Sequence, residues 1–204
     1  MHIGVAGNIG SGKTTLTRML AEHYGWVPKF ESVTYNPYLE DYYKDIPRWS
    51  YNLETYFLAQ RFKDVLEIAE SDQVIIQDRT LFEGVYIFVA NNRDMGNLSE
   101  RDYNTYMELF ELMMKMASPP DLLIYLKSSI EHLVANIQKR GRDYEQGMSI
   151  EYLSGLNHRY EEWIGSYKGR LLVIEADNLD FKNNPDDFAL ITDKVDAELY
   201  GLFQ

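Results

Sequence analysis

The feature that most constrains this chain is a glycine-rich loop near its start, with the pattern G-x-x-x-x-G-K-[ST] over residues 7–14. An apolar run from Ile3 to Ala6 precedes the loop, and apolar residues at helical spacing follow it from Thr14 to Tyr24. Strand, loop and helix in this order are typical of a phosphate-binding loop, whose backbone N–H groups receive phosphate oxygens. We therefore expect a nucleoside triphosphate here. The expected contacts are Gly7, Asn8, Ile9, Gly10, Ser11, Gly12, Lys13, Thr14 and Thr15.

Apolar runs with β propensity alternate with helical patterns along the whole chain. The apolar runs are Ile3 to Ala6, Trp26 to Val33, Gln73 to Gln77, Leu122 to Leu126 and Leu171 to Ile174. After the first helix, the helical patterns are Tyr51 to Ala69, Leu81 to Ala90, Glu100 to Ala117, Ile130 to Lys139, Ile150 to Tyr167 and Asp186 to Leu202. This alternation predicts an α/β fold with a five-stranded parallel sheet flanked by helices. No linker divides the 204 residues, so we expect a single domain over residues 1–204.

Charge and composition narrow the classes of partner. Twenty Lys and Arg against thirty-two Asp and Glu give a net charge of -12, which disfavours nucleic acid and anionic membranes as partners. No segment approaches the ~20 apolar residues that span a bilayer, and the first strand begins directly after Met1. We therefore expect no leader and a cytoplasmic protein. The absence of cysteine excludes disulfides, thiolate metal sites and cysteine nucleophiles.

Charged residues stand at the carboxyl ends of two predicted strands, where a parallel sheet presents its ligand sites. Asp78 and Arg79 follow the third strand. We expect Asp78 to bind magnesium together with Thr14, and Arg79 to neutralise phosphate charge. The alternative for Asp78 is a helix cap near Thr80. Glu31 ends the second predicted strand and could accept a proton from an attacking hydroxyl, although its spacing alone also fits a surface or structural glutamate.

These residues, in this order, resemble the deoxynucleoside kinase family, in particular its bacterial deoxyadenosine and deoxyguanosine kinases. Members are P-loop kinases that phosphorylate the 5′-hydroxyl of deoxynucleosides. Beyond the loop, the matching segments are Phe30-Glu31-Ser32-Val33, Arg48-Trp49-Ser50 through Glu54-Thr55-Tyr56, Asp78-Arg79-Thr80 and Arg140-Gly141-Arg142-Asp143-Tyr144-Glu145-Gln146. The resemblance implies a P-loop kinase fold, ATP as phosphate donor, Mg²⁺, a small-molecule deoxynucleoside substrate and a homodimer packed through helices.

The resemblance also implies roles for individual catalytic residues. Glu31 would be the general base for the 5′-hydroxyl, with Arg79 placed against that carboxylate and the phosphates. Lys13 would hold the phosphates of the donor. Arg140 and Arg142 would supply further positive charge to the transferring phosphoryl group.

The two arginines would belong to an arginine-rich mobile lid over about residues 139–147, which closes over the triphosphate. By itself, this basic cluster also fits a solvated helix end. Within the lid, Glu145 matches a residue that in this family hydrogen-bonds the sugar 3′-hydroxyl together with a tyrosine, here Tyr43.

The base pocket departs from the family's common pattern at two positions. Glu54 stands where members usually have a glutamine that reads the base, and Gly84 where many members have an aspartate paired with the arginine that is here Arg61. An ionised carboxylate only accepts hydrogen bonds, and guanine offers it two adjacent donors. We therefore expect a purine, deoxyguanosine ahead of deoxyadenosine. The competing interpretation is that Glu54 pairs with Arg61 and replaces the aspartate. Phe88 matches the family's base-stacking phenylalanine, or is an ordinary core residue.

Two other functions stay open at this point. A nucleoside monophosphate kinase shares the loop and lid, but it needs extra cations for a second substrate phosphate, and none occurs between Glu31 and Lys44. A nucleotide-dependent regulatory ATPase would hydrolyse its ligand without a nucleoside. For a GTPase of this class, residues 91–94 only approach the guanine-reading N-K-x-D motif, because they lack the lysine.

Overall fold

The structure is a computed structural model, and it describes residues 1–31, 36–142, 145 and 148–201. Parts of three predicted segments lie outside the described residues. These are Ser32 and Val33 after Glu31, Asp143, Tyr144, Gln146 and Gly147 in the lid, and Leu202 at the end of the last predicted helix.

Five parallel strands form one sheet, as the alternating pattern predicts. The strands are β1 (His2–Gly7), β2 (Val27–Lys29), β3 (Ile75–Asp78), β4 (Leu122–Lys127) and β5 (Leu171–Glu175), in the order β2-β3-β1-β4-β5. Strand β2 is shorter than the predicted run from Trp26 to Val33. It lies at the edge of the sheet and contains Pro28, which has no N–H to donate to a ladder. Glu31 consequently follows the strand instead of belonging to it.

The helices occupy the predicted segments, with one additional helix, one helix interrupted by a π-helical segment and several ends that differ by three to five residues. They are α1 (Lys13–Tyr24), α2 (Leu39–Lys44), α3 (Ile46–Ala69), α4 (Leu81–Glu83), α5 (Ala90–Asp94), α6 (Glu100–Met114), α7 (Ile130–Arg140), α8 (Ile150–Ser166) and α9 (Pro185–Tyr200). The short α2 was not predicted. The predicted helix from Leu81 to Ala90 contains a π-helical segment, Gly84–Val89, which joins α4 to α5.

Helices cover both faces of the sheet, so β1 is buried along its whole length. On one face, Ile3 and Ile124 pack with Leu16 of α1 and Val195 of α9. On the other face, the buried side chains of the sheet pack against Tyr160 and its neighbours on α8. Because the strands are parallel, the segments that follow β1, β2 and β3 meet at one edge. Within the described part of the chain, no helix has both the length and the apolar character needed to cross a membrane.

Candidate active site

The loop after β1 is a cradle made of backbone. Gly10 and Gly12 have φ of 87° and 93°, in the left-handed region that favours glycine. A Cβ on Gly10 would lie 2.8 Å from the carbonyl oxygen of Leu133, so a larger residue does not fit. The Asn136 side chain donates to the Gly10 carbonyl at 2.9 Å, which ties the loop to α7. The loop is therefore held in shape by its glycines and by contacts from neighbouring helices.

Beside the loop lies a cavity, and not every predicted loop residue faces it. Ile9, Gly10, Lys13 and Thr14 line this cavity. The side chain of Asn8 instead donates to the Leu153 carbonyl at 3.1 Å and anchors the loop to α8.

Lys13 is buried at the start of α1. Its ammonium group donates to the carbonyl of Asn8 at 2.9 Å. Burial, followed by the positive charge of Arg79, lowers the pKa of Lys13 to about 8. The protein thus holds a poorly solvated cation where a phosphate would supply the missing negative charge.

Thr14 and Asp78 lie together, as the magnesium hypothesis requires. The Thr14 hydroxyl donates to Asp78 Oδ2 at 2.5 Å, and burial raises the pKa of Asp78. Both groups offer oxygen, the ligand atom that Mg²⁺ prefers. The described residues contain no cluster of three His, Cys, Asp or Glu side chains placed to hold a metal. These two oxygens therefore fit an ion that takes its other ligands from phosphates and water.

A further carboxylate beside the loop, Glu83, was not predicted from the sequence. It is fully buried; its Oε1 accepts from the Tyr160 hydroxyl at 2.7 Å, and its Oε2 accepts from the Thr80 N–H at 2.7 Å. Burial raises the pKa of Glu83. The available signal was the spacing Thr80-x-x-Glu83, which is typical of a capping box. Glu83, and not Asp78, is the carboxylate that caps this helix.

Glu31 lies between two buried arginines. Its Oε1 accepts a hydrogen bond from Arg61 Nη2 and lies 3.3 Å from Arg79 Nε. Burial alone would raise the pKa of Glu31, but the charges of Arg79, Arg61 and Lys13 outweigh burial and lower it. Glu31 is therefore ionised at neutral pH and is surrounded by positive charge.

Arg79 is held in a strained backbone conformation. Its φ is 71°, the single positive φ of a non-glycine residue in the described part of the chain. Such strain persists only where the surroundings enforce it, and it is common at functional sites. The guanidinium carbon lies 4.4 Å from the centre of the Phe88 ring, so Arg79 bridges the general-base candidate and the stacking candidate. Within the described residues, Arg79 Nη1 is a buried donor with no acceptor.

The interpretation that Glu54 pairs with Arg61 is wrong, since Arg61 pairs with Glu31 instead. The space for this comes from Gly84, because a Cβ at that position would lie 2.8 Å from Arg61 Nη1. The guanidinium therefore occupies the volume that a side chain at position 84 would fill.

Glu54 is buried on α3, and its partner is an amide. Its Oε1 accepts a hydrogen bond from Asn92 Nδ2 at 3.2 Å. Burial raises the pKa of Glu54 to about 8, although the charges of Arg61 and Arg79 oppose this shift. The assumption that this carboxyl is ionised at neutral pH, on which the expectation of deoxyguanosine depends, is therefore not supported by its surroundings in the structure.

Asn92 connects Glu54 to a second pair of residues that the sequence did not suggest. Its Oδ1 accepts from the Tyr42 hydroxyl at 3.3 Å, and that hydroxyl lies 3.1 Å from the hydroxyl of Tyr152. The network runs from α3 through α5 to α2 and α8. No sequence motif marks it, because its members come from four separate helices.

The predicted lid residues that the structure describes contact each other. Arg140 Nη2 donates to both carboxylate oxygens of Glu145, at 2.6 and 2.7 Å, and Arg142 Nη1 lies 3.5 Å from Glu145 Oε1. Glu145 is buried, whereas more than a third of the Arg142 side chain is exposed. The two cations are thus attached to a carboxylate at the rim of the cavity.

One cavity is lined both by residues predicted to bind the phosphates and by residues predicted to bind the nucleoside. It is lined by Lys13, Thr14, Glu31, Tyr43, Glu54, Arg61, Asp78, Arg79, Phe88, Arg140, Arg142 and Glu145. The lining thus includes both the residues predicted to bind phosphate and those predicted to read the base. The fold and cavity together define a P-loop phosphotransferase with a pocket for an organic acceptor.

Comparison with known proteins identifies the family. The sequence profile of the family described as deoxynucleoside kinase matches residues 3–200. The chain is 38% identical to a deoxyadenosine/deoxycytidine kinase of Bacillus subtilis, over 97% of this chain and 93% of that protein. It is 32% identical to a deoxyguanosine kinase of the same organism, over 95% of each. A solved structure of deoxyadenosine kinase from M. mycoides with the products dCMP and dCDP matches with a TM-score of 0.87 and 33% identity, over 97% of this chain and 100% of that one.

The chain therefore belongs to the deoxynucleoside kinase family. It is an ATP-dependent phosphotransferase that acts on the hydroxyl of a deoxynucleoside, and the fold and family predicted from the sequence are confirmed. The monophosphate kinase and the regulatory ATPase are not favoured by these matches.

Proposed function

We propose that the chain transfers the γ-phosphoryl group of ATP to the 5′-hydroxyl of a deoxynucleoside, with Glu31 as the general base. The products are the deoxynucleoside 5′-monophosphate and ADP, as in nucleotide salvage. The observation that carries this proposal is the position of Glu31, which lines the same cavity as Lys13 and Thr14 and is kept ionised by two arginines.

Glu31 accepts the hydroxyl proton as the new bond to phosphorus forms. A carboxylate with a lowered pKa is a weak base, but phosphoryl transfer proceeds through a loose transition state that places little demand on base strength. Arg79 keeps Glu31 ionised, and its unpartnered Nη1 donor is available to a phosphate oxygen of the bound donor.

On the donor side, Lys13 and the N–H groups of the loop hold the phosphates, and Arg140 and Arg142 move onto them when the lid closes. Thr14 and Asp78 would hold Mg²⁺, which would supply positive charge to neutralise the phosphate oxygens of ATP. Catalysis then consists mainly of positioning and charge stabilisation.

On the acceptor side, Tyr43 and Glu145 bind the sugar 3′-hydroxyl, and the ring of Phe88 stacks on the base. Glu145 is tied to Arg140 here, so nucleoside and lid compete for one carboxylate. The relatives named above act on deoxyadenosine, deoxycytidine or deoxyguanosine, so the substrate is among these nucleosides, and two of the three are purines, as the sequence leads us to expect.

Two further proposals concern the surroundings of the enzyme. We propose a homodimer packed through helices, because Tyr86, Leu112 and Met116 are exposed apolar side chains within the predicted helical segments Leu81 to Ala90 and Glu100 to Ala117. We also propose that the enzyme works in the cytoplasm.

The test is Glu31→Gln, assayed by ADP and monophosphate formation from Mg-ATP with each of the four deoxynucleosides. We expect a loss of roughly 10²–10⁴ in kcat, the usual range for general-base catalysis. ATP binding and thermal stability should be largely retained. The matched control is Glu70→Gln, an exposed carboxylate at the end of α3, which should behave like the parent.

Undiminished transfer in a folded Glu31→Gln variant would falsify the base assignment. The acceptor panel tests the reaction itself. Release of ADP without any nucleoside, or only with deoxynucleoside monophosphates, would contradict the proposed acceptor.

A further inference from the structure

The cavity is lined by a carboxyl group, that of Glu54, that forms no salt bridge among the described residues. Glu54 is 3% exposed, and Arg61, the arginine on its own helix, is engaged by Glu31. Among the described residues, the hydrogen bond to Glu54 comes from the neutral amide of Asn92. A buried carboxylate without a cation is costly, and such a group lowers this cost by holding its proton.

The groups around Glu54 do not reverse this conclusion. They come from every element that packs against the carboxyl. The charged and titratable groups near it are Glu31 after β2, Tyr42 on α2, Arg61 on α3, Arg79 after β3, Tyr106 on α6 and Tyr152 on α8. The two arginines favour ionisation, but both are neutralised in part by Glu31. Burial therefore dominates and raises the pKa of Glu54 to about 8.

A neutral carboxylic acid offers different hydrogen bonds from a carboxylate. It presents one O–H donor beside one C=O acceptor, which is the pattern of a glutamine amide. Adenine presents the complement, an acceptor at N1 beside the 6-amino donor, and cytosine presents the same pair at N3 and the 4-amino group. A carboxylate would face the ring nitrogen of either base with a second acceptor, and an unpaired buried acceptor is strongly disfavoured.

Guanine does not make the same demand. Its O6 and N1–H fit the neutral acid, while its N1–H and 2-amino group fit the carboxylate. Guanine can therefore bind to either form of the carboxyl, whereas adenine and cytosine need the neutral form.

We propose that Glu54 reads the nucleobase as a neutral carboxylic acid, with its O–H donating to the ring nitrogen of adenine or cytosine and its C=O accepting from the amino group. The substrate class is thus the deoxynucleosides whose base presents an unprotonated ring nitrogen beside its amino group, as adenine does at N1 and cytosine at N3, with deoxyadenosine the purine among them. This proposal rests on the proposed function, because it places the base of the acceptor beside Phe88 and Glu54. Deoxyguanosine should be the substrate that survives when Glu54 ionises.

The experiment measures kcat/KM for deoxyadenosine and for deoxyguanosine across pH and takes their ratio. The titration of Glu31, the binding of Mg-ATP and the fraction of folded enzyme affect both substrates alike and cancel in this ratio. Because kcat/KM reports groups of the free enzyme, the ratio should fall roughly threefold or more between about pH 7 and about pH 8.5. In Glu54→Gln, whose amide does not titrate, the ratio should stay constant. The exposed control Glu70→Gln should reproduce the parent profile.

A second probe removes the hydrogen-bond acceptor at N1 of the adenine base. In 1-deaza-2′-deoxyadenosine a C–H replaces N1, so the O–H of Glu54 has no partner. At about pH 7 we expect roughly tenfold lower kcat/KM than for deoxyadenosine, from the loss of one buried hydrogen bond. A ratio that does not change with pH in the parent, or that falls equally in Glu54→Gln, overturns the proposal.

A binding measurement separates this inference from the proposed function. At about pH 8.5, deoxyadenosine should bind with net proton uptake, measured by calorimetry in buffers of different ionisation enthalpy, and Glu54→Gln should show none. Binding without proton uptake would show that Glu54 does not bind the base as a neutral acid, even if the enzyme is an active kinase. If no deoxynucleoside is phosphorylated, the proposed function fails while proton uptake still decides the role of Glu54.

Discussion

The phosphate loop and the nucleoside pocket face one cavity but are stabilised in different ways. The loop is shaped by backbone conformation, since Gly10 and Gly12 adopt left-handed φ and α7 contacts the Gly10 carbonyl. The pocket is shaped by buried ionisable groups, among which Glu31 holds two arginines and Glu54 holds none. The first arrangement suits a ligand that is always the same, a triphosphate. The second can be altered by changing one partner, which suits a site where family members bind different bases.

After the loss expected for Glu31→Gln, the largest effect is expected on the loop side of this comparison. Lys13→Met removes the charge that we propose contacts the phosphates, and we expect kcat to fall by roughly 10²–10³, as for other single donors to a developing charge. Measurement of phosphoryl transfer at saturating Mg-ATP checks this value. A loss below tenfold would show that the backbone cradle works without its lysine.

The same variant should be more stable than the parent when no ligand is bound. The pKa of Lys13, about 8, is below its unfolded value of about 10.4, so the unfolded chain binds more protons between these two pH values. The parent therefore gains stability as pH rises through this window, and Lys13→Met does not. Thermal unfolding from about pH 7 to about pH 10 should show the difference shrinking with pH.

An intermediate effect is expected where Gly84 makes room for Arg61. In Gly84→Ala the new Cβ would lie 2.8 Å from Arg61 Nη1, so the guanidinium must move away from Glu31. The pKa of Glu31 should then rise, and the acid limb of the kcat/KM profile should move to higher pH, with roughly tenfold lower activity below it.

Gly165→Ala is the matched control, because no atom lies within 4 Å of its added Cβ on α8. It should leave the pH profile unchanged. If Gly84→Ala has the parent's profile as well, Arg61 does not tune Glu31.

The smallest effect is expected at Asn92, which acts on the base through Glu54. Asn92→Leu removes the hydrogen bond that favours the ionised form, so the pKa of Glu54 should rise further. The pH at which the deoxyadenosine to deoxyguanosine ratio falls should move up, with a change in kcat of only a few fold, as expected for one neutral hydrogen bond. If Asn92 has a purely structural role, its substitution should lower kcat/KM equally for both substrates and leave the pH dependence of their ratio unchanged.

The two regions also differ in how far the sequence could predict them. The loop is contiguous, so its residues and the start of α1 follow from one motif. The carboxyl ends of β2 and β3 were predicted near the phosphates because parallel strands share an edge, and Glu31 and Asp78 do line the cavity. The roles of these residues stay predictions.

The pairings inside the pocket could not be predicted, because they depend on which buried charge lies nearest in space. The sequence suggested one acidic partner for Arg61, Glu54, in place of the aspartate that is absent at position 84, and in the structure Arg61 pairs with Glu31 instead. Asn92 lies 38 residues from Glu54 in sequence, and nothing in its local pattern links the two. The proton on Glu54 is likewise a property of burial and not of spacing.

The π-helical segment at Gly84–Val89 can be considered as an inserted residue. A π turn contains one residue more than an α turn, and each residue rotates a helix by about 100°. Deleting a single residue there would restore α geometry and turn Asn92 away from Glu54, while α4 and its cap at Thr80 would stay in place. An alignment gap inside this segment would therefore separate relatives whose helices present different residues to Glu54. A comparison of residue substitutions alone would not detect this difference.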